Sequence, residues 1–364
     1  MKTKPKPKPR YRLRNWKEYN ADLRRRGSLT LWLDRSSASA WIDAERATHH
    51  VRRHGRPHRG HPRTYSDLAI QCMLTMRAVY HLPLRATAGF VESVLQLLGG
   101  PALPVADPST LSRRAATLNV RLPVSRSNTP LHMVVDSTGL KVYGEGEWKV
   151  KKHGWTYHRA WVKMHLGVDA DRCELRVLAV SAPEVSDSQA LPVLLDAEQS
   201  AMAQVTGDGA YEGRRCYDAV ARRAEHPLAV FPPHRERRRG QRPRPDRGHE
   251  RADQMRRKTK DGEFQGYSLH TWKHGNCKGK ELPLDRDEHV RRIRRVGRER
   301  WKEEVHYHRR SLVETAVFRM KTIFGASISS RKLSTQATEV FIRGAALNRM
   351  TALGMPDSYL LPDV

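Results

Sequence analysis

The spacing of the apolar residues changes once along the chain, at about Pro123, and no other feature constrains the fold as strongly. Before this point the apolar residues recur at helical spacing. After it they alternate with polar residues or form short β-branched runs, as strands do. A chain that changes in this way is predicted to fold into an all-α part followed by an α/β part.

The all-α part is predicted to span residues 63–125 and to contain three short helices. The first begins after Ser66, and the third has Asp107 as its cap and Pro108 at its first position. The third helix is polar and presents side chains that suit DNA contact, namely Thr110, Arg113 and Arg114. Three such helices are typical of a helix-turn-helix unit that reads bases. An ordinary helical bundle is the alternative.

The α/β part is predicted to be a mixed sheet flanked by helices. Three consecutive strand-like runs, which indicate a β-meander, precede a helix, a strand, a helix and a strand, so that the order is βββαβαβ. The chain then ends with two helices, predicted at residues 311–325 and 335–354.

The charge of the chain indicates its partner. Lys and Arg number 67 against 39 Asp and Glu, a formal net charge of +28 over 364 residues. Such an excess favours a polyanion, and nucleic acid is the first candidate. The charge is concentrated in a basic N-terminal arm, residues 1–62, and in a basic insertion, residues 233–286. Within the arm, residues 1–27 and Thr48 to Tyr65 are predicted to be flexible, with a short helical segment at about Ala38 to Ala47 between them. The insertion is predicted to be flexible because it has almost no aliphatic residues from His234 to Lys260.

Composition also bears on location and on the cysteines. Neither a run of about 20 apolar residues, as a membrane span needs, nor an apolar leader at the N-terminus is present. The protein is therefore expected to be soluble and intracellular. The four cysteines lie far apart, which favours reduced structural thiols over a disulfide framework or a zinc site.

Two aspartates are candidates for chemistry. Asp136 directly follows the apolar run MVV, and Asp208 follows the predicted strand AQVTG. A carboxylate in or at the end of a buried strand is costly unless something compensates it, and a bound cation is the usual compensation. Ligands also bind at strand ends in open sheets.

A later helix supplies a third candidate. If residues 307–324 form one helix, four polar side chains share a face, namely Tyr307, Arg310, Glu314 and Lys321. A salt-bridged surface stripe is the plainer interpretation. Together with the two aspartates, however, Glu314 would supply the oxygen ligands of a two-metal site, in which two Mg²⁺ ions lie about 4 Å apart.

Three segments resemble the acidic motifs of bacterial insertion-sequence transposases of the DDE superfamily, specifically the insertion-sequence-five group. They are VVDSTGLKVYGEGEWKVKKHG, VTGDGAYEG and YHRRSLVETAVFRMKTIFG. The last is similar to the group's Tyr-x2-Arg-x3-Glu-x6-Lys signature without a gap, and NWKEYNADLRRRGSLTLWLD resembles its N-terminal region. The resemblance covers roughly Asn15 to Val230 and Asp287 to Pro356. It departs at about His234 to His270, where the chain is longer and more basic.

The resemblance implies an RNase H-like catalytic core, built from residues 126–232 and from residues 287–364, which include the C-terminal helices. It implies that the catalytic triad, which also ligates the metal, is Asp136, Asp208 and Glu314. Two Mg²⁺ ions, with Mn²⁺ able to substitute, would assist cleavage at the ends of an insertion sequence and joining to target DNA. Water and then a DNA 3′-hydroxyl would be the nucleophiles.

The implied partners are double-stranded DNA, both terminal inverted repeats and target, and a second copy of the chain in a homodimer on DNA. No membrane is implied, and the expected location is the bacterial cytoplasm, associated with the nucleoid. Besides the predicted third helix, the DNA is expected to contact Lys149, Lys151, Lys152, Tyr307, Arg310 and Lys321.

Two other functions fit the same residues. An RNase H-like nuclease with this triad would hydrolyse DNA without strand transfer. A non-catalytic DNA-binding regulator derived from a transposase would bind end sequences and do nothing further with Mg²⁺.

Overall fold

The computed structural model describes residues 11–33, 38–42, 65–97, 103–142, 161–232 and 285–361. They belong to two compact units. The second unit comprises Ser127–Asp136 and the described part of Ser186–Leu312, and the first comprises the other described residues. One long strand, Leu131–Val142, contributes its beginning to the second unit and the rest to the first.

The elements follow the expected change from helices to strands. Before Pro123 they are, in chain order, β1 (Tyr11–Leu13), α1 (Trp16–Arg25), α2 (Leu29–Trp32), α3 (Asp67–Val79), α4 (Leu84–Leu97) and α5 (Pro108–Ala115). After it they are β2 (Leu131–Val142), β3 (Trp161–Asp169), β4 (Leu175–Ser181), α6 (Asp187–Ala197), β5 (Met202–Thr206), α7 (Arg214–Ala221), β6 (Leu228–Val230), α8 (Asp285–Val296), α9 (Arg298–Glu304), α10 (Ser311–Phe324), β7 (Ser327–Ile328), α11 (Leu333–Leu353) and β8 (Ser358–Leu360). Two 3₁₀ turns, Gly209–Tyr211 and Tyr307–Arg310, precede α7 and α10.

Most of the predicted elements are confirmed, including the order βββαβαβ from β2 to β6. The caps of the first and third predicted helices are confirmed as well: the Ser66 hydroxyl accepts the Ala69 N–H, and the Asp107 carboxylate accepts the N–H groups of Ser109 and Thr110. The helices α8 and α9 were not predicted. Their sequence is so rich in arginine that its apolar residues do not form an evident stripe.

The prediction of a flexible arm over residues 1–27 is wrong for residues 11–27, which contain β1 and α1. In the first unit β1 pairs antiparallel with β8, the Asn15 amide donates to Met355 O, and the Trp32 side chain is buried. Most basic residues of the described segment 11–33 are exposed, whereas Trp32 is buried. The rest of the predicted arm, apart from residues 28–33 and 38–42, lies outside the described residues, as do residues 233–284 of the basic insertion.

Six strands, β2 to β7, form a mixed sheet. In the first unit β3 pairs antiparallel with β4, and β7 pairs parallel with the end of β2. In the second unit the beginning of β2 pairs parallel with β5, and β5 pairs parallel with β6. The strand order is β4-β3-β2-β5-β6, with β7 also beside β2, so the predicted meander and mixed sheet are both confirmed.

In the first unit the helix α11 packs on β4, as predicted for the last apolar helix. Gly344 of α11 approaches the strand so closely that a Cβ atom there would lie 2.5 Å from Leu178 Cδ1. The buried Asn348 amide donates to Leu175 O and accepts the Leu175 N–H, both at 2.8 Å. The first backbone groups of β4 are thereby satisfied away from water.

In the second unit the helix α8 lies against the edge strand β6. Asp285 Oδ2 accepts the Ala229 N–H at 2.8 Å, and His289 Nε2 lies 2.9 Å from Ala229 O. Trp301 Nε1 donates to His289 Nδ1, so His289 Nε2 carries the proton and donates to the carbonyl. Side chains of α8 thus take the place of another strand beside β6 and protect its backbone from pairing.

None of the described helices combines the length and the apolar composition that crossing a membrane requires. Three of the four cysteines lie among the described residues, and none of these three forms a disulfide there: Cys72, Cys173 and Cys216.

Candidate active site

Asp136 and Asp208 lie at matching positions of two neighbouring parallel strands in the second unit. Val134 of β2 is paired with Thr206 of β5, and each aspartate comes two residues later in its strand direction. Gly207 still donates to Val230 O, and Asp208 itself has an extended backbone. Continued by two residues, the register places the two Cα atoms about 5 Å apart with both side chains on one face of the sheet.

The position of Asp136 differs from the prediction in one respect. The strand β2 does not end at Asp136 but continues to Val142. The parallel pairing with β5, by contrast, ends near Asp136, and β7 pairs with β2 only from Lys141 onward. Asp136 therefore lies in the middle of a long strand, between the part of β2 that pairs with β5 and the part that pairs with β7. Asp208 follows the end of β5, as predicted.

A polar network on the same face holds these two strands together. His132 Nε2 lies 3.0 Å from Thr206 Oγ1, and the Gln204 amide donates to Thr206 Oγ1 and to Val305 O. Arg309 NH1 lies 3.3 Å from His132 Nδ1. Because a guanidinium only donates, His132 carries its proton on Nε2 and donates to Thr206. The sequence signal for this network was polar residues in apolar strands: His132 lies four positions before Asp136, and Gln204 and Thr206 lie four and two positions before Asp208. Sequence reasoning missed it.

Negative charge is concentrated next to Tyr211, which follows Asp208 in the 3₁₀ turn. Asp208 Oδ1 accepts the Ala210 N–H at 2.8 Å and so orients the turn. Burial raises the pKa of Tyr211 far above its usual range, and the carboxylates of Asp187, Asp136 and Asp208 raise it further.

Glu314 and Lys321 lie on α10, and one side of that helix is buried as predicted. Val313, Ala316 and Met320 are buried, whereas Glu314 is exposed and Phe318 is 68% exposed. Ile323, predicted on the buried side, is only half-buried.

Within the first unit Lys321 is bound to β2. Lys321 Nζ donates to Thr138 Oγ1 at 2.5 Å, two residues after Asp136 on the same strand. The helix that carries Glu314 is thereby attached to the strand that carries Asp136.

The sequence predicted one helix with a shared face that carries Tyr307, Arg310, Glu314 and Lys321. For Tyr307 and Arg310 this prediction is wrong, because these two residues precede the α-helix. His306 has a left-handed backbone, and Tyr307–Arg310 form a 3₁₀ turn before α10 begins at Ser311. A 3₁₀ turn has three residues per turn instead of 3.6, which changes the direction of these side chains. The Tyr307 ring packs against buried Trp301, with centroids 5.7 Å apart, and beneath the ammonium of Lys302. Tyr307 thus has a packing role in the second unit.

The prediction that Arg114 contacts DNA is also wrong. Arg114 is 8% exposed and donates to Tyr65 O and to the Asp67 carboxylate, so it fastens α5 to the beginning of α3. Its neighbour Arg113 is exposed and donates to the half-buried Thr110 hydroxyl at 3.2 Å. Helical spacing distinguishes the two faces of α5, but only the tertiary contacts show which face is buried. Lys149, Lys151 and Lys152 lie outside the described residues.

Among the residues that the structure describes, no three His, Cys, Asp or Glu side chains are grouped closely enough to hold a metal ion. Two carboxylates, those of Asp136 and Asp208, would be enough for Mg²⁺, because that ion is usually held by one or two carboxylates and completes its shell with water and substrate phosphate.

Two family models identify the chain. One, described as a Transposase DDE domain, matches residues 127–349, more than half of the chain, and a second with the same description matches residues 24–145. The chain belongs to the DDE transposase family. As a DDE transposase it binds DNA, and its mixed sheet flanked by helices is consistent with the RNase H-like fold of such enzymes. No solved structure matches this transposase.

Proposed function

We propose that this transposase cuts the ends of an insertion sequence of the insertion-sequence-five group and joins them to target DNA, using Asp136, Asp208 and Glu314 as its catalytic and metal-binding residues. The observation that carries the proposal is the register of β2 and β5, which brings Asp136 and Asp208 to one face on adjacent strands. Carboxylates at the ends of paired strand segments are the hard oxygen ligands by which proteins hold Mg²⁺.

Glu314 is proposed as the third member because of its motif. The segment YHRRSLVETAVFRMKTIFG resembles the third acidic motif of insertion-sequence transposases, and Glu314 is its acidic residue.

The proposed metal is Mg²⁺, as two ions, with Mn²⁺ able to replace it. When bound, such ions activate the attacking oxygen and stabilise the leaving oxygen of a phosphodiester. The chain's own residues would orient them: the Ala210 N–H holds the Asp208 carboxylate, and the His132–Thr206 contact keeps β2 and β5 in register. Water is the proposed nucleophile for cleavage and the freed DNA 3′-hydroxyl the nucleophile for joining, so no covalent enzyme intermediate is required.

The proposed DNA contacts are made by one exposed basic residue, Arg113, and by two half-buried ones, Arg310 and Lys321. Arg113 on α5 would contact the terminal inverted repeats, and Arg310 and Lys321 would contact the strand that is cut. A homodimer on DNA stays a prediction.

The test is to incubate the protein with the DNA that flanks its own gene and Mg²⁺, and to sequence nicked and joined products. We expect Asp136→Asn, Asp208→Asn and Glu314→Gln each to reduce cleavage at least about 1,000-fold, since each removes a ligand charge on which transition-state stabilisation depends. Binding to the same DNA in EDTA should be nearly unchanged.

Matched controls come from exposed acids in the second unit. Asp218 pairs with Arg214 on α7, and Glu303 pairs with Arg300 on α9. Asp218→Asn and Glu303→Gln should retain cleavage. If Glu314→Gln cleaves like the Glu303 variant, Glu314 is not a member of the site.

The same experiment separates the two alternatives. Hydrolysed ends without joined products would indicate an RNase H-like nuclease. End binding in EDTA with no product in Mg²⁺ would indicate a non-catalytic regulator.

A further inference from the structure

A cavity in the first unit, the α3–α11 cavity, lies between the end of α3, the segment around β7 and the beginning of α11. Its volume is about 260 Å³. Because a water molecule takes about 30 Å³ of the liquid, the cavity has room for a phosphate group and several waters. Two guanidinium groups, those of Arg77 and Arg343, line it together with His81. Glu339 is the only acidic residue among its lining residues, all of which the structure describes.

The Glu339 carboxylate is already used within the protein. It accepts the N–H groups of Ser329 and Ser330 at 3.2 and 3.0 Å, and Arg343 NH2 donates to it at 2.6 Å. Arg343 also donates to Ser327 O at 2.9 Å and is only 6% exposed. This buried ion pair holds the segment around β7 against α11, and as a whole it carries no net charge.

Arg77 is therefore left without a counter-charge in the α3–α11 cavity. Its side chain is half-buried, and its Nε is shielded from water with no hydrogen-bond partner among the described residues. Burial lowers the pKa of Arg343, Glu339 opposes this shift, and the charge of Arg77 adds to it, so the two guanidinium groups repel each other. A half-buried guanidinium beside a second one is costly unless an anion lies next to them.

The rest of the lining offers donors that suit a phosphate. Ser329 and Ser330 carry hydroxyls, and the exposed imidazole of His81 can donate as well. The two residues after Ser330, Arg331 and Lys332, are exposed, so positive charge continues from the cavity onto the surface. This continuity favours one phosphate of an extended polyanion over a small free anion.

We propose that the α3–α11 cavity binds a phosphate of the DNA backbone, with Arg77 donating to its oxygens and with Arg331 and Lys332 contacting the neighbouring phosphates. DNA is the polyanion because the chain is a DDE transposase. Such a contact fixes the position of the DNA and carries no sequence information, since every base pair presents the same phosphates. It requires no metal ion, so it does not depend on the proposed catalytic residues.

The test measures binding of the full-length protein to a random-sequence DNA duplex in EDTA over a salt series. Arg77→Gln removes the charge from the cavity, whereas Arg77→Lys keeps the charge but loses the planar fork that can bind two phosphate oxygens. Arg172→Gln is the matched control, because Arg172 is an exposed arginine of the first unit, in the turn between β3 and β4, and does not line the cavity.

We expect Arg77→Gln to reduce the slope of log affinity against log salt by about 0.9 and to weaken binding about 10-fold, because one charged phosphate contact is lost. Its melting temperature without DNA should stay equal or rise, since Arg77 Nε has no protein partner to lose and the repulsion of Arg343 is removed. Arg77→Lys should keep the slope but bind less tightly. Arg172→Gln should match the unchanged protein in slope and affinity.

Three results would overturn the proposal. If Arg77→Gln has the same slope as Arg172→Gln, Arg77 contacts no DNA phosphate. If Arg77→Gln melts well below the unchanged protein, the side chain has a structural role instead. In a further arm inorganic phosphate is added to the free protein. A melting temperature that then rises for the unchanged protein but not for Arg77→Gln, with equal DNA slopes, would make the cavity a site for a free anion.

Discussion

Lys321 donates a hydrogen bond from its ammonium to the Thr138 hydroxyl at 2.5 Å, which joins α10 to β2 two residues beyond Asp136. The contact keeps a positive charge at a fixed position in the first unit. It also restricts the Lys321 side chain before DNA binds. The side chain therefore loses less conformational entropy when its ammonium binds a phosphate.

Lys321 is therefore predicted to contact the DNA backbone from a preset position. Lys321→Met should weaken binding to every DNA sequence, reduce the slope of log affinity against log salt by about 0.9, and slow cleavage. Thr138→Val removes only the hydroxyl, so it should leave the salt slope unchanged and slow cleavage less. Binding over a salt series decides between them, and an unchanged slope for Lys321→Met would remove Lys321 from the DNA interface.

Adjacent arginines on α5 are predicted to have different roles. Arg114→Ala should destabilise the first unit by about 1–3 kcal/mol, because it leaves Tyr65 O and Asp67 without their buried partner. Arg113→Ala should change stability by less than about 0.5 kcal/mol, since this side chain is exposed.

On DNA the two variants should also differ. If Arg113 reads a base, its loss should reduce discrimination between terminal-repeat and random DNA by about 1–3 kcal/mol. Urea denaturation and competition binding measure the two effects. Equal losses on both kinds of DNA would restrict Arg113 to phosphate contact.

His289 is predicted to make the second unit sensitive to acid. Burial lowers the pKa of His289, and the hydrogen bond to Ala229 O and the charges of Asp285 and Glu288 oppose the shift only in part. The unfolded chain therefore takes up the proton first. The free energy of unfolding should fall as pH drops below about 6.5, by at most about 1.4 kcal/mol per pH unit from this group.

The control for this effect is His289→Gln, since an amide can also accept from Trp301 and donate to Ala229 O but does not titrate. Urea unfolding between pH 5 and pH 8 should show a flatter pH dependence for this variant. The same slope in both proteins would assign the acid sensitivity to other groups.

Two helical glycines are predicted to respond to alanine in opposite directions. Gly89 on α4 has open space around the position of a Cβ atom, so Gly89→Ala should stabilise the protein by up to about 1 kcal/mol through helix propensity. At Gly344 the Cβ atom would meet Leu178 and Leu122, and the resulting strain should cost about 1–3 kcal/mol. Thermal unfolding of both variants measures the difference. A stabilised Gly344→Ala variant would mean that α11 can move away from β4.

Local patterns predicted much of the fold because they depend on neighbours in the sequence. Ser66 and Asp107 mark the beginnings of α3 and α5 through their own side-chain hydrogen bonds. The alternation in β3 and the apolar stretch of β2 likewise indicate strands without knowledge of their partners. Where the chain is rich in arginine, as in α8 and around Trp32, the same patterns are hidden and the predictions fail.

The sequence alone determined the element order from β2 to β6, the basic character of the protein and the identity of its candidate acids, because each of these depends on residue type and spacing. Tertiary structure decided that β2 and β5 pair in parallel with Val134 opposite Thr206, two residues before Asp136 and Asp208, since register arises only when two strands pair. It also decided that Arg114 is internal and Arg113 external, and that α10 begins at Ser311. These outcomes depend on contacts between residues far apart in the chain, where the energy of burial and pairing outweighs local preference.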